Sequence, residues 1–238
     1  YALITDKVES MEQMFFYCGL EKLNLQKFNT KNVKNMWGMF FNCSVKTLNL
    51  SNFDTSNVTD MGSMFSGCGY LTSLDVSGFN TCNITDLSYM FSGCAALTEL
   101  DLSSFKTDQV EDMTEMFCED GALKTIYVSD RWSTASVSSD DDMFYNCESL
   151  VGGAGTTYSI NFIDSYYARI DTPTRKGYFT YKSLYDLNGD GKVSTADIQV
   201  IINEMKKPAA SQNMNYDLNG DGKISTADIQ VIINEMKK

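Results

Sequence analysis

Two stretches of the chain repeat one arrangement of hard oxygen donors. Residues 185–207 read YDLNGDGKVSTADIQVIINEMKK, and residues 216–238 read the same with Ile224 in place of Val193. Each opens D-x-N-x-D-G. Asp186, Asn188 and Asp190 therefore fall at positions 1, 3 and 5 of a twelve-residue loop, and Gly191 at position 6 permits the sharp turn. Lys192 offers its backbone carbonyl at position 7, Ser194 its hydroxyl at position 9 directly or through water, and Asp197 closes the loop at position 12. Asp217, Asn219, Asp221, Gly222, Lys223, Ser225 and Asp228 repeat these roles. Carboxylate and carbonyl oxygens at this spacing are what Ca²⁺ requires, so the pair of loops predicts two calcium ions.

One amphipathic helix follows each loop. Ile198, Ile201, Ile202 and Met205 recur at i, i+3, i+4, i+7, as do Ile229, Ile232, Ile233 and Met236. No matching helix precedes either loop, and Pro208 with Ala209, Ala210 and Ser211 reads as a linker. These are half EF-hands, loop then exiting helix, and two of them must share one small core. The duplication, the Asp at position 12 and the missing entering helix resemble a type I dockerin over residues 184–238. That resemblance implies a cohesin-like protein partner. It also implies partner-contacting roles for loop positions 10 and 11, here Thr195-Ala196 and Thr226-Ala227, where many dockerins carry Ser-Thr.

The elements upstream are set by a repeat. Met-Phe recurs at Met14, Met39, Met64, Met90, Met116 and Met143, in steps of 25 to 27 residues. Six residues before each Met stand Val8, Val33, Val58, Ile84, Val110 and Val137. Three further back come Thr5, Thr30, Thr55, Thr81, Thr107 and Thr134, and two before those Leu3, Phe28, Phe53, Phe79, Phe105 and Trp132. Such a period means stacked supersecondary units. An L-x-x-L-x-L pattern, as in Leu97-Leu100-Leu102, predicts a short strand with one buried face in each unit. Ser10, Asn35, Asp60, Asp86, Asp112 and Ser139 read as N-caps of a single helical turn around Met-Phe, with a charged ligand ladder as the alternative for the aspartates.

The unit resembles the BspA-type leucine-rich repeat, with its signature MF-x-x-C-x-x-L-x-x-L-D-L-S-x-F-x-T-S-x-V-T-D-M; the clearest copy runs from Met64 through Met90. The segments Tyr167–Asp171 and Gly177–Thr180 look like the closing cap of such arrays, which the last unit needs to keep its apolar side from water.

Five cysteines, Cys18, Cys43, Cys68, Cys94 and Cys147, lie four residues after the Met, and Cys118 lies two after it. Six of the seven thus read as one repeat slot, a row of free buried thiols whose parallel Cβ vectors suit disulfides poorly. Ten of the thirteen methionines fall in the repeats and read as core filling.

Histidine is absent, which removes Ser–His–Asp and Cys–His catalysis, HExxH metal sites and every histidine general base. The net charge of −12 speaks against nucleic acid and anionic membranes as partners. No run of eighteen apolar residues exists to span a membrane.

The expected fold is a repeat solenoid of leucine-rich-repeat-like coils, with short parallel strands and short helical turns, joined to a small all-α module of two half EF-hands. The expected domains are six repeats over 1–150, the first truncated, a cap at 151–182 and the calcium module at 183–238. The expected function is binding rather than catalysis, in a secreted or cell-surface bacterial protein. The solenoid would recognise an unknown protein or glycan, with Asn24, Asn49, Asp75, Asp101 and Tyr127 as one exposed row. The alternatives are a component, catalytic or not, of a polysaccharide-degrading assembly, and a purely structural use of the calcium loops.

Overall fold

The repeated threonines tie each repeat of the first unit to the next. In the computed structural model, which describes residues 5–213 and 216–237, every hydroxyl from Thr5 to Thr107 makes two bonds to the following repeat. The Thr30 hydroxyl accepts the Asp54 N–H (2.8 Å) and donates to the Asp54 carbonyl (2.9 Å). Thr55 and Thr81 do the same at Asn80 and Lys106. These threonines are buried, so the pairing satisfies two backbone groups that water does not reach. Leu3, placed in the aromatic slot above, lies outside the described residues.

The Met-Phe segment is not a helical turn. Among the described residues of this unit there is no α-helix; each segment runs as tandem β-turns. Met14, Phe16 and Cys18 donate to Met11, Gln13 and Phe15, three residues back. The turns require two left-handed residues per repeat, such as Gln13 (φ 54°) with Tyr17 (φ 54°), or Ser63 (φ 55°) with Gly67 (φ 72°). Outside glycine each costs about 1–2 kcal/mol. The compensation lies along the stack. A helix would turn its amides on itself, whereas here the N–H groups of Met11, Gln13, Phe15 and Tyr17 reach the carbonyls of Asn35, Trp37, Met39 and Phe41 at 2.8–2.9 Å. The same four bonds recur through the Met113 repeat.

Ser10, Asn35, Asp60, Asp86, Asp112 and Ser139 are consequently not helix caps. They form a continuous series of parallel bridges from repeat to repeat. From Asn35 to Asp112 each Oδ1 accepts the N–H two residues on, at 2.7–2.9 Å. Burial, with Asp86 and Glu12 nearby, raises the Asp60 carboxyl above its usual range, against the pull of the Gly62 N–H.

Regular strand appears in only two of the five L-x-x-L-x-L segments: β1 (Glu99–Asp101) and β2 (Thr125–Val128). A third strand, β3 (Phe179–Tyr181), pairs in parallel with β2, giving the order β1-β2-β3 with Ile126 opposite Phe179. The core between turns and strands is one continuous cluster. At its centre Phe15, Phe40, Phe65, Phe91, Phe117 and Phe144 stack face to face with centroids 5.5–5.9 Å apart. Tyr178 and Phe179 end the row, meeting Phe144 edge-on at 5.2 and 5.8 Å. Trp132 packs edge-on against Phe179 and donates its indole N–H to the Ala168 carbonyl (3.0 Å). Buried Asp171 holds the adjoining loop through Thr156 Oγ1 (2.7 Å) and the amides of Ala154, Thr156 and Gly177.

All seven cysteines are free; Cys82 is exposed and Cys18 half-buried, and the others are buried. Cys118, however, stands outside the row of thiols. The residue four after Met116 is Asp120, which fills the position held by Cys94 in the repeat before and Cys147 in the repeat after.

The second unit, Lys182–Lys238, contains α1 (Thr195–Met205) and α2 (Thr226–Glu235) in contact with each other. Its core is Ile201, Ile224 and Ile232, with Leu187, Val193, Ile198, Tyr216, Leu218 and Ile229 packed around it. Leu187, Val193, Tyr216, Leu218 and Ile224 enter this core from outside the helices, and Met205 and Met236, at the ends of the apolar stripes, stay exposed. Between the helices, after Pro208, Ala209–Ser211 makes one 3-10 turn. Glu204, only 4% exposed, accepts the Asn213 N–H (2.6 Å) and pairs with Lys207 (2.7 Å), which fastens the linker to α1.

Candidate metal-binding loops

Each loop is built by its own side chains folding its backbone. Asp186 accepts from Gly189 (2.9 Å) and Asp190 (3.1 Å) through Oδ1 and from Gly191 (2.8 Å) through Oδ2. Asn188 Oδ1 takes the Asp190 N–H (2.8 Å), and Asp190 Oδ1 takes the Lys192 N–H (2.9 Å). Gly189 and Gly191 sit at φ 75° and 81°, the left-handed region that glycine enters freely. Asp217, Asn219, Asp221 and Lys223 repeat these bonds, with Gly220 and Gly222 in the same conformations.

Asp197 does something else. Its side chain is fully buried, and both oxygens are engaged by the protein. Oδ1 accepts from Leu187 (2.8 Å) and Asn188 (3.1 Å), and Oδ2 from Ser194 (2.8 Å). Asp228 does the same with Leu218, Asn219 and Ser225. The position-12 acids therefore clasp the start of the loop to the start of the helix. Ser194 and Ser225, expected as position-9 ligands, are the N-caps of α1 and α2, accepting the N–H of Ala196 and Ala227 at 3.1 Å each. The capping box is legible in S-T-A-D, an N-cap with an acid three residues on, whereas the clasp onto the start of the loop is not.

Among the described residues no three His, Cys, Asp or Glu side chains gather as a metal site. The donor chemistry fits a hard cation nonetheless. Each loop holds three carboxylates, a carboxamide oxygen and a position-7 backbone carbonyl within twelve residues, and among the described residues no ion pair neutralises them. Asp186, Asn188, Asp190, the Lys192 carbonyl and Asp197 would hold an ion in the first loop, and Asp217, Asn219, Asp221, the Lys223 carbonyl and Asp228 in the second.

The expected partner contacts, Thr195-Ala196 and Thr226-Ala227, lie exposed in the first turns of α1 and α2. In the first unit, Asn24, Asn49 and Asp75 are exposed, while Asp101 and Tyr127 are half-buried. The four Asn and Asp side chains each accept the N–H two residues on, at 2.9–3.2 Å, so they shape turns.

No curated protein and no solved structure matches the chain. Family models match both units. Residues 184–237 match the Dockerin type I domain, bearing out the resemblance read from the duplicated loops. Residues 3–75 and 68–162 match the family described as Mycoplasma protein of unknown function, DUF285. The chain belongs to that DUF285 family over its repeats and carries a Dockerin type I domain at its C-terminal end.

Proposed function

We propose that this is a secreted or cell-surface bacterial binding protein whose repeat unit recognises a protein or glycan and whose dockerin domain attaches it, in a calcium-dependent way, to a cohesin-like partner. The observation that carries the reading is the duplicated loop–helix unit with its Dockerin type I match. We read the stacked repeats as a leucine-rich-repeat-like solenoid of the BspA type, supported by the parallel bridges linking every repeat.

Calcium bound in the loops would supply charge compensation for the clustered carboxylates. The chain's own part is to hold each loop with Asp186 or Asp217 and to lock it to its helix with Asp197 or Asp228. This fixes the first turns of α1 and α2, where Thr195, Ala196, Thr226 and Ala227 face outward. Ordering before contact reduces the entropy lost on docking.

The test is capture by an immobilised cohesin with calcium and with chelator, beside calorimetric titration of Ca²⁺ into the apo protein. Two sites are expected, with one lost in Asp186→Ala and one in Asp217→Ala. Capture unaffected by chelator would assign the loops a structural role alone.

A further inference from the structure

The thiol row has a chemical rule, and one member departs from it. Cys43, Cys68, Cys94 and Cys147 each donate Sγ–H to the phenylalanine carbonyl of the preceding repeat, at 2.9–3.2 Å. Those carbonyls, of Phe15, Phe40, Phe65 and Phe117, also take a backbone N–H three residues on, so each has two donors. The Phe91 carbonyl has only one, the Cys94 N–H at 3.0 Å. The position that should supply its second donor is occupied by Asp120.

Asp120 is 1% exposed, and neither of its carboxyl oxygens has a hydrogen-bond partner. The titratable groups that face it are the Cys94 and Cys147 thiols of the adjoining repeats. No ion pair reaches it among the described residues. A carboxylate in that place would be a buried charge with no compensation, and it would have nothing to donate. A carboxylic acid has an O–H to donate at the place where the rest of the row donates S–H.

We propose that Asp120 stands in the row as a neutral carboxylic acid donating to the Phe91 carbonyl, and that its ionisation loosens the fifth repeat as pH rises. Burial pushes its carboxyl well above the usual range; the nearby Cys94 amide pulls the other way, but that N–H is engaged by Phe91. Burial raises the thiols of the row as well. Burial lifts Cys43 to about 11 and Cys68 to about 12, and carries Cys94 and Cys147 well up also. Because the folded value of Asp120 is raised, its stabilisation is complete below the ordinary carboxylate value of about 4 and is lost as pH rises toward the folded value. Within that window the folding constant falls up to about tenfold per pH unit.

The experiment compares urea unfolding of the full chain, at constant calcium, from about pH 5 to 9 for the wild type, Asp120→Cys and Asp120→Asn. The expected result is a wild-type folding constant that drops relative to both variants as pH rises, by up to about tenfold per unit. Infrared difference spectra of the native wild type and Asp120→Asn at neutral pH should show a protonated-carboxyl band in the wild type alone. Parallel pH profiles, or the absence of that band from the native wild type, would overturn the proposal. The band is read on the native wild type, so it decides the matter even where a variant folds poorly.

Discussion

At the residue scale, the structure assigns work to side chains that the repeat pattern displays without explaining. A threonine in every repeat is visible in the sequence, but its reason is the two-point contact with the next repeat, which links residues 24 to 26 apart. Thr55→Val removes the hydroxyl yet keeps the shape, leaving the Asn80 N–H and carbonyl unpaired. We expect a loss of about 1–3 kcal/mol by urea denaturation, with Thr55→Ser retaining most of the stability. Asp171 behaves oppositely to Asp120. Burial works to raise it, but bonds from Thr156, Gly177 and Ala154 outweigh that and leave the carboxyl lowered. Its contribution is present above the ordinary carboxylate range and lost as pH falls through its folded value. Asp171→Asn should therefore flatten the acid limb of the stability profile, measured by unfolding at stepped pH.

Elements are where local reading and structure part. The polar residue before each Met-Phe looks like a helix cap because Ser, Asn and Asp serve caps and Asx turns through the same i+2 amide bond. What decides between them is the neighbouring repeat, whose carbonyls accept amides that a helix would have kept for itself. A local pattern carries no record of that acceptor. The face-to-face Phe row has the same origin, and Phe91→Ala, in its middle, should cost about 3–5 kcal/mol by denaturant unfolding. In α1 and α2 the local signal was enough, because the capping box closes within four residues. Ser194→Ala should lower stability of the second unit by about 1 kcal/mol and weaken calcium binding at the first loop, read by circular dichroism and titration.

For the whole molecule, the two units have separate cores, one of stacked phenylalanines and methionines and one built on three isoleucines. Chelation should consequently lower the thermal transition of Lys182–Lys238 while leaving that of the repeats in place, by calorimetry with and without calcium. A thiol count on the denatured, unreduced protein should approach seven. The sequence by itself determined the repeat register, the half-unit form of the calcium loops and their dockerin character, since each is set by spacing within one short segment. Only the tertiary structure decided that the turns are β-turns, that Asp197 and Asp228 clasp the loops, and that Asp120 rather than Cys118 completes the thiol row. In the repeats the reason is bonds between neighbouring repeats; in the loops it is carboxylates turned back onto the chain's own amides. The paired donor loops were thus legible as a set, while the direction in which each oxygen points was not.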